Sequence, residues 1–199
     1  MSKKKIVFDK STIVKLFNEN KFNKISKYSK IIIDSYDADI DICKLVIVSE
    51  YNLKNYFKAE QYLNKIINIH NTAELNYLYG NILKIQNKFH DAIDLYKKAI
   101  SLNNNFSEAY NNLANTQKIM GDNENATYNY IQAIKSNNSN LGAYFNLANL
   151  YRSEKKFEEA INNYKKVLEL NPKFVESMNN IGSINLILGN FENGLKYFV

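Results

Sequence analysis

Proline and cysteine each occur once in this 199-residue chain, tryptophan is absent, and there are two histidines. The lone cysteine, Cys43, cannot form an internal disulfide. Among Ile42, Leu45 and Val46 it reads as a small core residue rather than a nucleophile. His70 and His90 have no His or Cys at metal-ligand spacing, which argues against a metal site within the chain. No Gly-rich phosphate loop and no nucleophile elbow is present. Acidic residues such as Glu158 and Glu159 are expected on outward helix positions, where they solubilise. The expectation is a chain without a catalytic site of its own, without a metal and without a cofactor.

Long apolar runs are missing too, although hydrophobic residues make up 45% of the chain. None approaches the roughly 18 residues that a membrane span requires. After Lys3, Lys4 and Lys5 only Ile6, Val7 and Phe8 precede Asp9, too few for a secretory signal. A soluble, cytoplasmic protein with no membrane partner is therefore expected. The formal net charge is +6, but the lysines are spread along the chain between Asn and Glu. That spacing describes solvated helix faces, so no nucleic-acid partner is expected.

What the chain has in abundance is periodicity. Gly80, Ala114, Ala148 and Gly182 follow one another at intervals of 34 residues. Ala92, Ala126, Ala160 and Gly194 form a second small-residue ladder, and Tyr96, Tyr130, Tyr164 and Phe198 an aromatic one, in the same register. Ala99, Ala133 and Val167 add a fourth. Two helices approach closely only where side chains are small, and large rings fill the gaps beside such contacts. Each unit thus reads as a helix A and a helix B packed antiparallel. Asn87, Gly121 and Gly189 sit where the short connection needs a positive φ, and Lys155 departs, so that turn is expected to be strained or differently built. Phe89, Phe157 and Phe191 open helix B, with Asn123 as the exception. Asn103 to Asn105, Asn137 to Asn140 and Asn171–Pro172 separate the units.

Residues 141–174 resemble a tetratricopeptide repeat, with Tyr144, Leu147, Ala148, Tyr151, Ala160, Tyr164 and Pro172 in the diagnostic slots. Residues 73–106, 107–140 and 175–199 follow in register. Residues 40–72 fit with one residue fewer, on Tyr56, Ala59, Leu63 and Ile66. Residues 1–39, with Leu16, Phe17, Phe22, Ile25, Ile32 and Ile33, read as a degenerate repeat or cap. The resemblance implies an all-α, α-α superhelix of antiparallel hairpins that binds a protein or extended peptide along its concave, helix A side. The last unit stops within its helix B, leaving Leu195, Tyr197 and Phe198 without a following helix. Two expectations compete there: a fragment of a longer protein, or self-association through that end.

At 100° per residue, repeat positions 2, 5, 6, 9, 12 and 13 share the helix A face opposite the packing ladders. Position 6 holds Leu45, Leu78, Asn112, Asn146 and Asn180, and position 9 holds Asn81, Asn115, Asn149 and Ser183. Position 12 adds Lys84, Lys118 and Arg152, which favour an acidic or phosphorylated ligand. A carboxamide both donates and accepts, so a ladder of them suits the backbone of an extended peptide. The same residues also fit a solvated surface in an Asn-rich chain. The position 6 ladder is similar to that of O-linked N-acetylglucosamine transferases, which implies, as an alternative, a substrate-recruiting arm of a larger enzyme. Position 5 holds Tyr77, Asn111, Phe145 and Asn179, so the lysine-based carboxylate clamp of chaperone-binding relatives is not supported. Tyr77 and Phe145 suit either apolar groove contacts or cover for neighbouring helices.

Overall fold

Helix follows helix throughout the computed structural model, which describes residues 9–36 and 39–197. Lys3 to Phe8 of the amino-terminal reading, and Phe198 of the aromatic ladder, lie outside the described residues. In chain order the helices are α1 (Lys10–Asn18), α2 (Phe22–Ser35), α3 (Ile40–Asn52), α4 (Tyr56–Ile66), α5 (Ala73–Ile85), α6 (Phe89–Leu102), α7 (Ser107–Ile119), α8 (Asn123–Ser136), α9 (Leu141–Ser153), α10 (Phe157–Leu170), α11 (Val175–Ile187) and α12 (Phe191–Leu195). Odd-numbered helices are the A helices of successive hairpins and even-numbered ones the B helices. Among the described residues there is no strand, and no helix is long and apolar enough to cross a membrane.

The turn inside each hairpin is built the same way six times. Asn20, Lys54, Asn87, Gly121, Lys155 and Gly189 all have positive φ, between 54° and 82°. Lys155 therefore makes the same turn as its neighbours, at the cost of placing a side chain in the left-handed region. Between hairpins, the asparagine excess has a structural use. The side-chain carbonyls of Asn103, Asn137 and Asn171 accept the backbone N–H two residues on, at 3.1, 3.0 and 3.1 Å. Such Asx turns end one helix and aim the chain at the next. Asn140 then caps α9, accepting from the Ala143 N–H at 3.0 Å.

The chain forms two compact units, one ending at Leu102 and one beginning at Asn103. In the first, Ile13, Ile25, Ile33, Val46, Ile47, Leu63 and Ile66 are buried with Cys43, which donates its thiol to the Tyr36 carbonyl at 3.1 Å. Gly80 lies against the Tyr96 ring so closely that a Cβ there would come within 2.7 Å of it. In the second unit Ala114, Ala126 and Tyr130 pack with Leu147 and Leu150, and Ala148, Ala160 and Tyr164 with Ile181 and Ile184. Gly80, Ala114, Ala126, Ala148 and Ala160 of the small-residue ladders thus pack with the tyrosine rings, whereas Gly194 lies against Leu186.

One acidic residue departs from the outward placement expected of the class. Glu158 and Glu159 are exposed, but Glu50 is fully buried where α2, α3 and α4 meet. Its Oε2 accepts from Ser26 Oγ at 2.9 Å and from Asn55 Nδ2 at 2.8 Å. Its Oε1 lies 2.7 Å from Lys58 Nζ, an ion pair without hydrogen-bond alignment. Burial alone would raise its pKa, but the Lys58, Asn55 and serine contacts outweigh burial and hold it below the ordinary value.

Candidate functional site

The A helices of the second unit lie side by side, and side chains at repeat positions 5, 6 and 9 link them. Asn146 on α9 donates Nδ2 to Asn111 Oδ1 on α7 at 3.1 Å. Asn180 on α11 reaches Asn149 Oδ1 on α9 at 3.5 Å, and the Arg152 guanidinium donates to Asn180 Oδ1. These carboxamides are half-buried between successive A helices rather than fully solvated.

The position 9 asparagines are held from behind. Tyr96, Tyr130 and Tyr164, fully buried on the B helices, donate their hydroxyls to Oδ1 of Asn81, Asn115 and Asn149 at 2.8, 2.7 and 2.6 Å. Burial raises all three tyrosine pKa values, that of Tyr164 to about 12, so the hydroxyls stay protonated and donate. With Oδ1 committed inward, Asn115 and Asn149 turn their amide N–H groups away from the tyrosine.

This pairing was missed in the sequence, yet its signal is there. Each Asn precedes its Tyr by 15 residues, and where the chain lacks the Asn it also lacks the Tyr: Val48 is matched with Leu63, and Ser183 with Phe198. The internal repeats vary the two residues together because a buried hydroxyl needs an acceptor.

The remaining predicted positions fall in three places. Lys84 is half-buried in the last turn of α5 with its pKa lowered by burial, and Lys118 occupies the same turn of α7. Arg152 is exposed in the last turn of α9. Neither Lys118 nor Arg152 makes an ion pair among the described residues. Asn112 is half-buried on α7, its backbone carbonyl accepting from Thr116 Oγ1 at 2.8 Å. Phe145 spends its ring on its neighbours, 5.9 Å from Tyr164 and 5.0 Å from Phe174 between centroids. Tyr77 likewise lies 6.1 Å from Tyr96. No group of three or more metal-ligating side chains occurs among the described residues.

Comparison with known proteins gives one consistent answer. Residues 142–174 and 107–140 each match the tetratricopeptide repeat family, and residues 80–121 match a TPR repeat family. No curated protein shows significant sequence similarity to the chain. Among solved structures, the carboxy-terminal part of a TPR repeat-containing protein from Cytophaga hutchinsonii superposes with a TM-score of 0.78 at 18% identity, covering 94% of this chain and 75% of that one. YrrB, described as a TPR protein with an unusual peptide-binding site, gives a TM-score of 0.67 at 18% identity, covering 85% and 88%. The first TPR module of Spaghetti (RPAP3), bound to the HSP90 peptide SRMEEVD, gives a TM-score of 0.57 at 27% identity, covering 60% and 94%. With the 34-residue register, the alternating A and B helices and these matches together, the repeats of this chain belong to the tetratricopeptide repeat family.

Proposed function

We propose that this chain is a protein-interaction scaffold that receives an extended peptide or partner segment along its A helices, and that it performs no chemical step there. The observation that carries this reading is the fixed orientation of Asn115 and Asn149, whose buried tyrosine partners leave amide donors for a ligand at no reorganisation cost. The peptide-binding site of YrrB and the HSP90 peptide bound by the RPAP3 module support it. The test is selection of binders from an unbiased peptide display library. Their capture should then be compared with the Asn112→Ala/Asn146→Ala/Asn180→Ala variant at unchanged helicity. Weakened capture is expected; undiminished capture would falsify the groove assignment.

Two further readings rest on specific features. The position 6 ladder of Asn112, Asn146 and Asn180 suits a substrate-recruiting arm of a larger transferase. A native gene product whose intact mass leaves no room for a catalytic domain removes that reading. Phe191 and Leu195 stand 65% and 64% exposed, whereas their repeat equivalents Phe157 and Ile161 are half-covered. This favours self-association through the last hairpin. Sedimentation showing a monomer at high concentration removes it.

A further inference from the structure

We propose that the outward face of α2 and α4, in the unit ending at Leu102, is a docking surface for an anionic lipid bilayer. It lies on the B helices and goes beyond the groove reading, which concerns the A helices. It departs from the expectation of no membrane partner, which rested on the missing apolar run; a peripheral contact needs no spanning helix.

The first observation is where the unpaired cations stand. α2 carries Lys24, Lys27 and Lys30 against the single acid Asp34, whereas α8 carries one lysine and one glutamate, and α10 two lysines and three glutamates. The carboxylates around α2 and α4 are engaged by other lysines. Glu19 pairs with Lys21 at 2.6 Å, Asp34 with Lys65 at 2.9 Å, Glu50 with Lys58 at 2.7 Å and Glu60 with Lys88 at 3.0 Å. At the start of α3, Asp39 and Asp41 pair with Lys10 and Lys44. Among the described residues Lys24, Lys27 and Lys30 are left without a carboxylate partner, and so is Lys54 in the turn before α4. Asp91 and Asp94 stand on α6, gathered with Glu60 and Lys88 on the side of α4 away from α2.

The second is geometry. At 100° per residue, Lys27 lies opposite the buried stripe of Ile25, Ser29, Ile32 and Ile33, with Lys24 to one side and Lys30 to the other. Phe57 stands opposite the stripe of α4 formed by Ala59, Tyr62, Leu63 and Ile66. The two helices are joined flank to flank. Lys58 Nζ donates to the Ser26 carbonyl at 3.0 Å, Ser29 and Tyr62 share a hydrogen bond at 2.9 Å, and Lys65 reaches Asp34. Their outward faces therefore form one surface.

The third is the apolar exposure on that surface. Phe57 is 72% and Ile31 53% exposed, and Phe57 lies between Lys54 and Lys58 in the chain. Solvation explains the lysines but not a phenylalanine set among them and aimed at water. A bilayer interface takes both: ammonium groups meet lipid phosphates while the ring and the isoleucine enter the acyl boundary. A polynucleotide would answer the lysines but would leave Ile31 against phosphate.

The experiment is co-sedimentation of the full chain with phosphatidylcholine vesicles, with and without phosphatidylserine. The chain should sediment with the anionic vesicles, be released by added salt and ignore the neutral ones. Lys24→Ala/Lys27→Ala/Lys30→Ala should lower the partition coefficient by about a hundredfold, roughly fivefold per lysine. Lys135→Ala/Lys165→Ala/Lys166→Ala, on α8 and α10, should leave it unchanged. Because the chain has no tryptophan, Phe57→Trp supplies a single reporter, whose emission should shift to the blue on anionic vesicles. Tyr128→Trp, at a site 60% exposed on α8, should not shift. Equal binding to neutral vesicles, an unaffected α2 triple variant, an unshifted Phe57→Trp emission, or displacement of the vesicles by an equal charge of oligo(dT) overturns the proposal. Peptide capture by the A helices is read separately, so failure here leaves the groove reading standing.

Discussion

Replacing Glu50 with Gln removes one negative charge from the junction of α2, α3 and α4 and leaves the shape unchanged. A glutamine carbonyl can keep the Ser26 and Asn55 hydrogen bonds of Oε2, so the loss falls on the Lys58 ion pair at 2.7 Å. Breaking a buried pair costs about 3–5 kcal/mol, and Lys58, 37% exposed, recovers part of its solvation. We therefore expect Glu50→Gln to lose about 2–3 kcal/mol at neutral pH. The pH dependence carries a definite sign. The folded pKa of Glu50 lies below the ordinary 4.5, so the unfolded chain binds its proton more readily. Its contribution is fully present above 4.5 and is lost as pH falls through the lower folded value. Urea titrations of both chains should show a gap that is widest at neutral pH and narrows in acid. Hydrogen exchange should place the loss in α2, α3 and α4, since neighbouring repeats share stability mainly through their interfaces. Equal midpoints at neutral pH, or a gap that widens in acid, would refute the reasoning.

Three other perturbations test the packing. Lys155→Gly relieves a side chain at φ 60° and should stabilise the α9–α10 hairpin by about 0.5–1 kcal/mol, read as a higher urea midpoint. Ala148→Leu inserts a large side chain where Ala160 and Tyr164 pack and should cost roughly 1–3 kcal/mol; an unchanged melting midpoint would mean the helix contacts are misassigned. Tyr164→Phe deletes the hydroxyl that Asn149 accepts at 2.6 Å and should cost about 1 kcal/mol. It should also weaken peptide capture, because the Asn149 amide loses its fixed orientation; unchanged capture would detach the tyrosines from the binding face.

The repeat architecture was legible because close helix packing imposes small residues at fixed intervals, and Gly80, Ala114, Ala148 and Gly182 record that constraint directly. The hairpin turns were legible where Gly or Asn marked them. Lys54 and Lys155 show that the fold imposes the same positive φ on residues that do not favour it. Glu50 was illegible because its burial depends on partners 24 and 8 residues away, Ser26 and Lys58, that no local pattern joins to it. The position 9 asparagines were placed on the binding face from helical period alone. That they accept from a tyrosine hydroxyl on the B helix needs both helices of a hairpin at once. Likewise, both rings at position 5 turn out to contact a B-helix tyrosine, a choice that period alone leaves open.

The central claim is that ligands meet the A helices through amide donors fixed from behind. Nuclear magnetic resonance of the side-chain amides during titration with a display-selected peptide addresses it most directly. The account predicts that the Nδ2 resonances of Asn115 and Asn149 shift, together with Asn146 and Asn180, while Asn162 on the exposed face of α10 stays in place. Shifts confined to α8 and α10 would contradict it.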